Sequence, residues 1–130
     1  KKVIYQYAEI VDSRSFDQLD SIMWPDFSMT GGYELNGIEG FMGAMDYLVT
    51  TYTKTMHFIG NIDGSWDGDI YKGKTYCVAS HIFEENGQMK KLDMGIIYED
   101  TLERRDGIVK FINRDFNLQW QKTDTLDSLK

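Results

Sequence analysis

The chain contains only two histidines, and each lies in an apolar stretch: His57 in "TMHFIGN" and His81 in "YCVASHIF". An imidazole titrates near neutral pH, so it can take a proton from carbon or give one to a leaving oxygen. A carboxylate that orients the ring helps it to do so, and Asp12 is the candidate. The alternatives are that both histidines are core residues and that Asp12 is solvated or caps the turn before Ser15.

Strand alternation indicates where these side chains point. His57 shares a face with Ile59 and Asn61. His81 shares its face with small or apolar residues that could line a cavity, namely Cys77, Ala79 and Phe83. On a later strand one face carries Met94, Ile96, Tyr98, Asp100 and Leu102. A phenol and a carboxylate therefore join an apolar surface, unless Asp100 lies solvated at the strand end.

The first third of the chain predicts helices. Apolar residues recur at helical spacing between Val3 and Asp12, which turns Tyr7 inward. Ser15 followed by Gln18 is a capping-box pattern, and it predicts a second helix that ends before Pro25. A third helix is expected after an extended segment, with Asn36 as its N-cap and its end near Thr53.

The second half changes to a β pattern. Its strand-like segments are "MHFIGNI", "KTYCVASHIFEE", "KKLDMGIIYEDTLER" and "VKFINRDFNLQW". Short Gly-containing turns separate them, which predicts an antiparallel meander. We therefore expect an α+β fold over residues 1–130 as one domain, with about three N-terminal helices packed on a curved antiparallel sheet.

Composition excludes several classes of function. The net charge is −7, and no Lys or Arg cluster is interleaved with aromatic residues, so nucleic acid is not expected as a partner. No run approaches the ~18 apolar residues of a membrane span. The single cysteine, Cys77, fits a reducing, cytoplasmic setting. The two histidines lack a nearby carboxylate triad at ligand spacing, so we expect no metal site.

The order of the predicted elements, three helices followed by a four-strand meander, is also informative. Together with "YAEIVDSRSFDQL", "TMHFIGN" and "YEDTLERRDGIVKFINR", it resembles the SnoaL-like branch of the nuclear-transport-factor-2-like superfamily, and within it the scytalone dehydratase and bile acid dehydratase type. The resemblance implies a cone-shaped α+β barrel around an apolar pocket. It also implies a lyase without cofactor that removes water from cyclic hydroxy-carbonyl substrates, such as polyketide or steroid-like compounds.

The resemblance assigns roles to particular residues. Asp12 matches the aspartate that orients the catalytic histidine, His57 matches that histidine, and His81 matches the second histidine of the scytalone enzyme. Tyr7 matches a tyrosine of the bile acid enzyme that assists at the carbonyl or leaving group. Arg114 closes a "DG…R" pattern of the branch, and it either binds substrate or pairs with an acid.

Departures from the pattern predict a different substrate from scytalone. Val11 and Gly31 stand where the scytalone enzyme has tyrosines, and Tyr33 lies close to the second of these positions. Ile96 and Tyr98 stand near its substrate-holding serine and asparagine. Either Tyr7 or Tyr33 is then expected to polarise the substrate carbonyl. The predicted substrate-binding residues are Tyr7, Tyr33, Tyr98, Asp100 and Arg114.

Two alternatives come from other classes. The same fold serves as a noncatalytic small-molecule-binding or dimerisation module. A ketosteroid-type isomerase would use Tyr7 with Asp100 as an oxyanion pair, which leaves the histidines without a role. Whatever the function, we expect the free face of the sheet to be covered by a second subunit in a homodimer. A hydrogen-bonded pair of Asp12 and His57 that opens onto a cavity would favour acid–base chemistry.

Overall fold

The computed structural model describes residues 1–127. Two α-helices, α1 and α2, span Lys2–Ser13 and Gly37–Thr51, and a 3₁₀ helix spans Phe16–Ser21. The strands β1 to β6 span Met23–Gly31, Leu35–Asn36, Lys54–Asp67, Ile70–Glu85, Gln88–Arg105 and Ile108–Thr125. Neither helix of this part of the chain is long and apolar enough to cross a membrane.

All strands lie in one sheet with the order β2-β1-β6-β5-β4-β3. The antiparallel meander of β3 to β6 is confirmed, and so is the α+β class. Bulges interrupt the register between Ile59 and Ile62 and between Gly95 and Ile96. A bulge bends its strand and increases the local twist, so these long strands curve around the helices. The first bulge also ends the alternation of β3, which leaves Asn61 exposed rather than on the face of His57.

The sheet has two more strands than the four of the meander. The extended segment before α2 forms β1 and β2, and β1 pairs in parallel with β6. Gly31 ends β1 at a positive φ of 93°. A Cβ there would collide with the backbone of Phe116, so only glycine allows this close approach.

The helices differ in how well they match the sequence pattern. Helix α1 is confirmed, with Tyr7 buried on its inner side. The second predicted helix is only six residues of 3₁₀ structure, and its capping box is wrong because the Ser15 hydroxyl pairs with the Ser13 hydroxyl at 2.8 Å. Asn36 precedes α2 as expected, but its side chain makes no capping hydrogen bond.

The helices cover the concave face of the sheet, where the main core lies. Its most buried members are Ile4, Val11, Leu19, Ile22, Met23, Phe27, Phe41 and Phe111. The convex face carries a different apolar group, lined by Phe58, Tyr76, Val78, Ile97 and Trp120. We call these five residues the outer apolar face. Cys77, the only cysteine, is buried on the concave side.

Candidate functional site

Asp12 and His57 form a hydrogen-bonded pair where the end of α1 meets β3. Asp12 Oδ1 lies 2.7 Å from His57 Nδ1 and accepts the Thr55 hydroxyl at 3.0 Å. The other oxygen, Oδ2, accepts the backbone N–H of His57 at 2.7 Å. Since a carboxylate only accepts, Nδ1 carries a proton, and in the neutral ring Nε2 is then the acceptor. Thr55 was not expected from the sequence, although it lies on the same face as His57.

The His57 ring lines a cavity of about 270 Å³ under the helices. The walls are mostly apolar and aromatic, and their buried residues include Tyr7, Val11, Phe41, Ile96 and Tyr98. Asp12 is not part of this lining. Its side chain, 23% exposed, faces a shallow outer cleft beside Glu9 and Phe58, whereas the His57 side chain is only 7% exposed. The Asp12 carboxylate therefore contacts the His57 ring from the outer cleft and not from the cavity.

His81 faces the same cavity from β4, as the alternation predicts. Its ring centroid lies 6.4 Å from that of His57. The Nδ1 atom donates to the carbonyl oxygen of Leu92 at 3.1 Å, which leaves Nε2 as an acceptor. Burial lowers the pKa of His81, and the neighbouring His57 lowers it further. The cavity is thus lined by two imidazoles whose Nδ1 atoms have different hydrogen-bond partners, the Asp12 carboxylate for His57 and the Leu92 carbonyl oxygen for His81.

Tyr7 and Tyr98 form the polar part of the buried wall. The Tyr7 ring lies 6.3 Å from the His57 ring, edge to face, and 6.3 Å from the Tyr98 ring. Burial raises the pKa of Tyr7 to about 12 and holds the pKa of Tyr98 well above its usual value. Both phenols therefore stay neutral near pH 7 and are able to donate hydrogen bonds.

Asp100 and Arg114 lie behind these tyrosines. Both side chains are fully buried, with Nε and Oδ1 2.7 Å apart, and the Thr75 hydroxyl donates to Asp100 at 2.7 Å. Asp100 is thus not solvated, and Arg114 pairs with an acid. Neither residue lines the cavity. The guanidinium instead covers the rings of Tyr98 at 3.7 Å and Tyr7 at 4.4 Å.

Tyr33 lines the exposed edge of the cavity together with two tyrosines that the sequence did not single out, Tyr47 and Tyr52. Tyr33 follows β1 and its ring centroid lies 5.1 Å from that of Phe116, whereas Tyr52 follows α2 and its ring centroid lies 4.8 Å from that of His81. Tyr47 is on α2 outside its apolar stripe, so no pattern in the sequence could have identified it. The cavity therefore has a buried part and an aromatic edge.

The described residues offer no obvious metal centre. Among residues 1–127, no three His, Cys, Asp or Glu side chains lie close enough together to hold an ion. The two imidazoles and the surrounding phenols nevertheless provide proton donors and acceptors inside an apolar space. Such a combination is suited to proton transfer on a small molecule.

A helical layer on a curved sheet around an apolar cavity defines the nuclear-transport-factor-2-like class of fold. The profile of the SnoaL-like domain matches residues 1–115, and the chain belongs to that family. An uncharacterised protein of Mycobacterium tuberculosis is 25% identical over 118 residues, which cover 88% of this chain and 79% of the relative.

Solved structures share the fold at low sequence identity. A proposed scytalone dehydratase from Novosphingobium aromaticivorans has a TM-score of 0.83 and 16% identity, over 93% of this chain and 82% of its own. The hexachlorocyclohexane dehydrochlorinase LinA-type3 from Novosphingobium barchaimii has a TM-score of 0.81 and 21% identity, over 98% and 87% of the two chains. These matches establish the cone-shaped fold that the sequence predicts.

Proposed function

We propose that the protein is a cofactor-independent dehydratase that acts on a small cyclic hydroxy-carbonyl compound. The observation that carries the proposal is the pair of Asp12 and His57, whose ring faces a mostly apolar cavity while its carboxylate lies outside. A base held in this way has its tautomer fixed and its free nitrogen directed at a bound ligand. The family's known structural neighbours include proteins named for elimination reactions, which supports this class of chemistry.

The reaction needs only the groups of the cavity. His57 Nε2 takes a proton from the carbon next to the carbonyl, and Asp12 stabilises the imidazolium that forms. The electrons of the broken C–H bond form the new double bond, and the C–O bond to the β-hydroxyl breaks. The imidazolium then returns its proton to the departing hydroxide, which leaves as water. No net charge or electron is left on the protein.

The remaining site residues orient the substrate in this scheme. Tyr7 donates a hydrogen bond to the carbonyl oxygen, with Tyr33 or Tyr98 as the alternative donor. His81, kept neutral by its lowered pKa, accepts a hydrogen bond from the substrate hydroxyl through Nε2. Asp100 and Arg114 act as positioning residues, because they support the rings of Tyr7 and Tyr98 from behind the wall.

The test is a search for proton abstraction in D₂O. Cyclic β-hydroxy ketones with one or two rings are incubated with the protein, and proton NMR follows loss of the α-proton signal and growth of the alkene. We expect both in the wild type, and neither above background in His57→Ala. Tyr76→Phe, an exposed tyrosine that lines neither the cavity nor the outer cleft, is the matched control and should behave as wild type. Equal rates with and without protein across the series would contradict the proposal.

A noncatalytic binding module is the second candidate. It is favoured by the same cavity, because an apolar space with few polar groups binds a ligand whether or not chemistry follows. Saturable binding of these ketones without α-proton exchange would support it over the dehydratase. The isomerase alternative is weaker, because Asp100 is tied to Arg114 and is absent from the lining.

We also propose a homodimer in which the outer apolar face of one copy packs on that of a second copy. Phe58 on β3 is 68% exposed and Trp120 on β6 is 49% exposed, and such exposure is unusual for large apolar side chains that share one face of a sheet. Sedimentation equilibrium at micromolar concentration should show a dimer for the wild type and a monomer for Trp120→Glu. Ile108→Glu, an exposed residue at the start of β6, is the control, and a monomeric wild type would contradict the dimer. The cytoplasmic setting stays a prediction from the sequence.

A further inference from the structure

The tyrosines that line the cavity fall into two groups by exposure. Tyr7 and Tyr98 are buried, whereas Tyr33 is 43% exposed, Tyr47 is 66% exposed and Tyr52 is half-buried. We call Tyr33, Tyr47 and Tyr52 the rim tyrosines. They belong to the cavity lining and also to the surface, so they mark its opening.

Three separate segments bring the rim tyrosines together. Tyr33 lies between β1 and β2, Tyr47 lies on α2, and Tyr52 follows its last turn. All three residues line the same cavity, and burial raises the pKa of both Tyr33 and Tyr52. The Arg14 side chain donates to the Tyr52 carbonyl oxygen at 3.0 Å and fixes the end of α2.

The volume of the cavity limits what it can enclose. An engineered cavity of about 150 Å³ holds benzene. At about 270 Å³, this cavity has room for a compound of one ring or two fused rings. A larger ligand must extend past the rim tyrosines. No Lys or Arg is among the lining residues, and the Arg14 guanidinium beside Tyr52 is hydrogen-bonded to a carbonyl oxygen, so the lining favours a neutral group.

We propose that the rim tyrosines form a second subsite, which binds a neutral planar group on the same ligand whose compact ring lies inside the cavity. Tyrosine rings offer a large contact area at a low cost in conformational entropy, and they stack well on planar groups. This inference rests on the proposed ligand site and extends it. It assigns the chain a two-part ligand, with one ring system enclosed and another at the surface.

The test compares two probes that share the enclosed ring system. 2-Naphthol fits the cavity alone, whereas 6-phenyl-2-naphthol adds a planar group at the opening. Isothermal titration calorimetry should give tighter binding of the longer probe to the wild type. Tyr47→Ala should weaken the longer probe roughly 3- to 10-fold and leave 2-naphthol within about twofold. Since Tyr47 is mostly exposed, the variant should remain folded.

Two further variants sharpen the result. Tyr47→Phe keeps the ring and should bind the longer probe nearly as well as wild type, and Tyr5→Ala, another exposed tyrosine, should change neither affinity. Equal weakening of both probes by Tyr47→Ala would overturn the second subsite, and so would no weakening of either. Failure of the wild type to bind even 2-naphthol would contradict the ligand site itself and the subsite with it.

Discussion

Two pairs, each made of a carboxylate and a basic side chain, have similar hydrogen bonds but different exposure. In each, a carboxylate oxygen lies 2.7 Å from a nitrogen of a basic side chain, His57 for Asp12 and Arg114 for Asp100. In each, a threonine hydroxyl also donates to the carboxylate. The Arg114 pair is sealed at 0% exposure behind the cavity wall, whereas the His57 pair lies between the cavity and the outer cleft.

In the proposed mechanism, access to the cavity rather than hydrogen bonding separates the reactive pair from the framework pair. Arg114 donates hydrogen bonds from Nε and Nη2 to Asp100. Its Nη1 is the one buried side-chain nitrogen or oxygen in residues 1–127 without a hydrogen bond. His57 uses Nδ1 on its acid, and its side chain lines the cavity. Four substitutions test this distinction.

The largest effect is expected when Asp12 is replaced by Asn. The amide can donate to Nδ1, which favours the wrong tautomer of His57 and turns its proton-bearing nitrogen toward the ligand. Turnover should fall by about 10²- to 10⁴-fold, the upper figure being the loss seen for the same change in a serine protease triad. Nitrogen-15 NMR of labelled histidine should report the change of tautomer. An unchanged tautomer and rate would remove Asp12 from the mechanism.

Next comes Arg114→Ala, which leaves the Asp100 carboxylate buried without its partner. Breaking a buried pair costs about 3–5 kcal/mol of the free energy of unfolding, measured by urea denaturation. The double variant Asp100→Leu with Arg114→Met removes both charges and should be more stable than Arg114→Ala. If the single variant loses less than about 1 kcal/mol, the pair is not the framework that we describe.

A smaller effect is expected for Tyr7→Phe, which removes one hydroxyl and keeps the ring. Loss of one hydrogen bond to the substrate carbonyl should lower kcat roughly 10-fold, since such a bond contributes about 1.5 kcal/mol. Because the pKa of Tyr7 is raised to about 12, the wild-type rate should show no Tyr7 ionisation below about pH 11. If Tyr98→Phe lowers kcat and Tyr7→Phe does not, Tyr98 is the residue that donates to the substrate carbonyl.

The smallest effect concerns His81 and pH. Its pKa is lowered in the folded protein, chiefly by burial, whereas the unfolded chain takes up the proton near pH 6.5. The unfolded state then binds more protons as the pH falls below that value, so stability should decrease until the lower folded pKa is passed. His81→Gln should flatten this part of the curve of unfolding free energy against pH. The same slope in both proteins would contradict a lowered pKa.

The sequence predicted the parts of the structure that follow from periodicity. Helical spacing placed Tyr7 inward, and strand alternation placed His81 on the face of Cys77 and Ala79. Alternation failed at Asn61 because a bulge changes the parity of β3, and no residue pattern announces it. The capping-box pattern at Ser15 failed because a nearby serine offered its hydroxyl a competing partner.

Long-range placement was the part that sequence could not provide. Asp100 was equally consistent with a solvated strand end and a buried site, and only its pairing with Arg114 across neighbouring strands decides between them. Tyr47 joins the cavity because α2 lies across its opening, which depends on the packing of the helix and not on the local pattern. The roles of His57 and Asp12 came from resemblance, and the geometry supplied their hydrogen bond.

The outer cleft behind Asp12 has a consequence for how the site equilibrates with its surroundings. A ligand that fills the cavity closes off His57 Nε2, but the carboxylate remains in contact with water on the opposite side of the ring. Hydrogen isotopes from the solvent can therefore still reach the Nδ1–H of His57 by way of Asp12 while the cavity is occupied. The occupied site is therefore open to solvent on its outer side, whereas the pair of Asp100 and Arg114 is sealed on all sides.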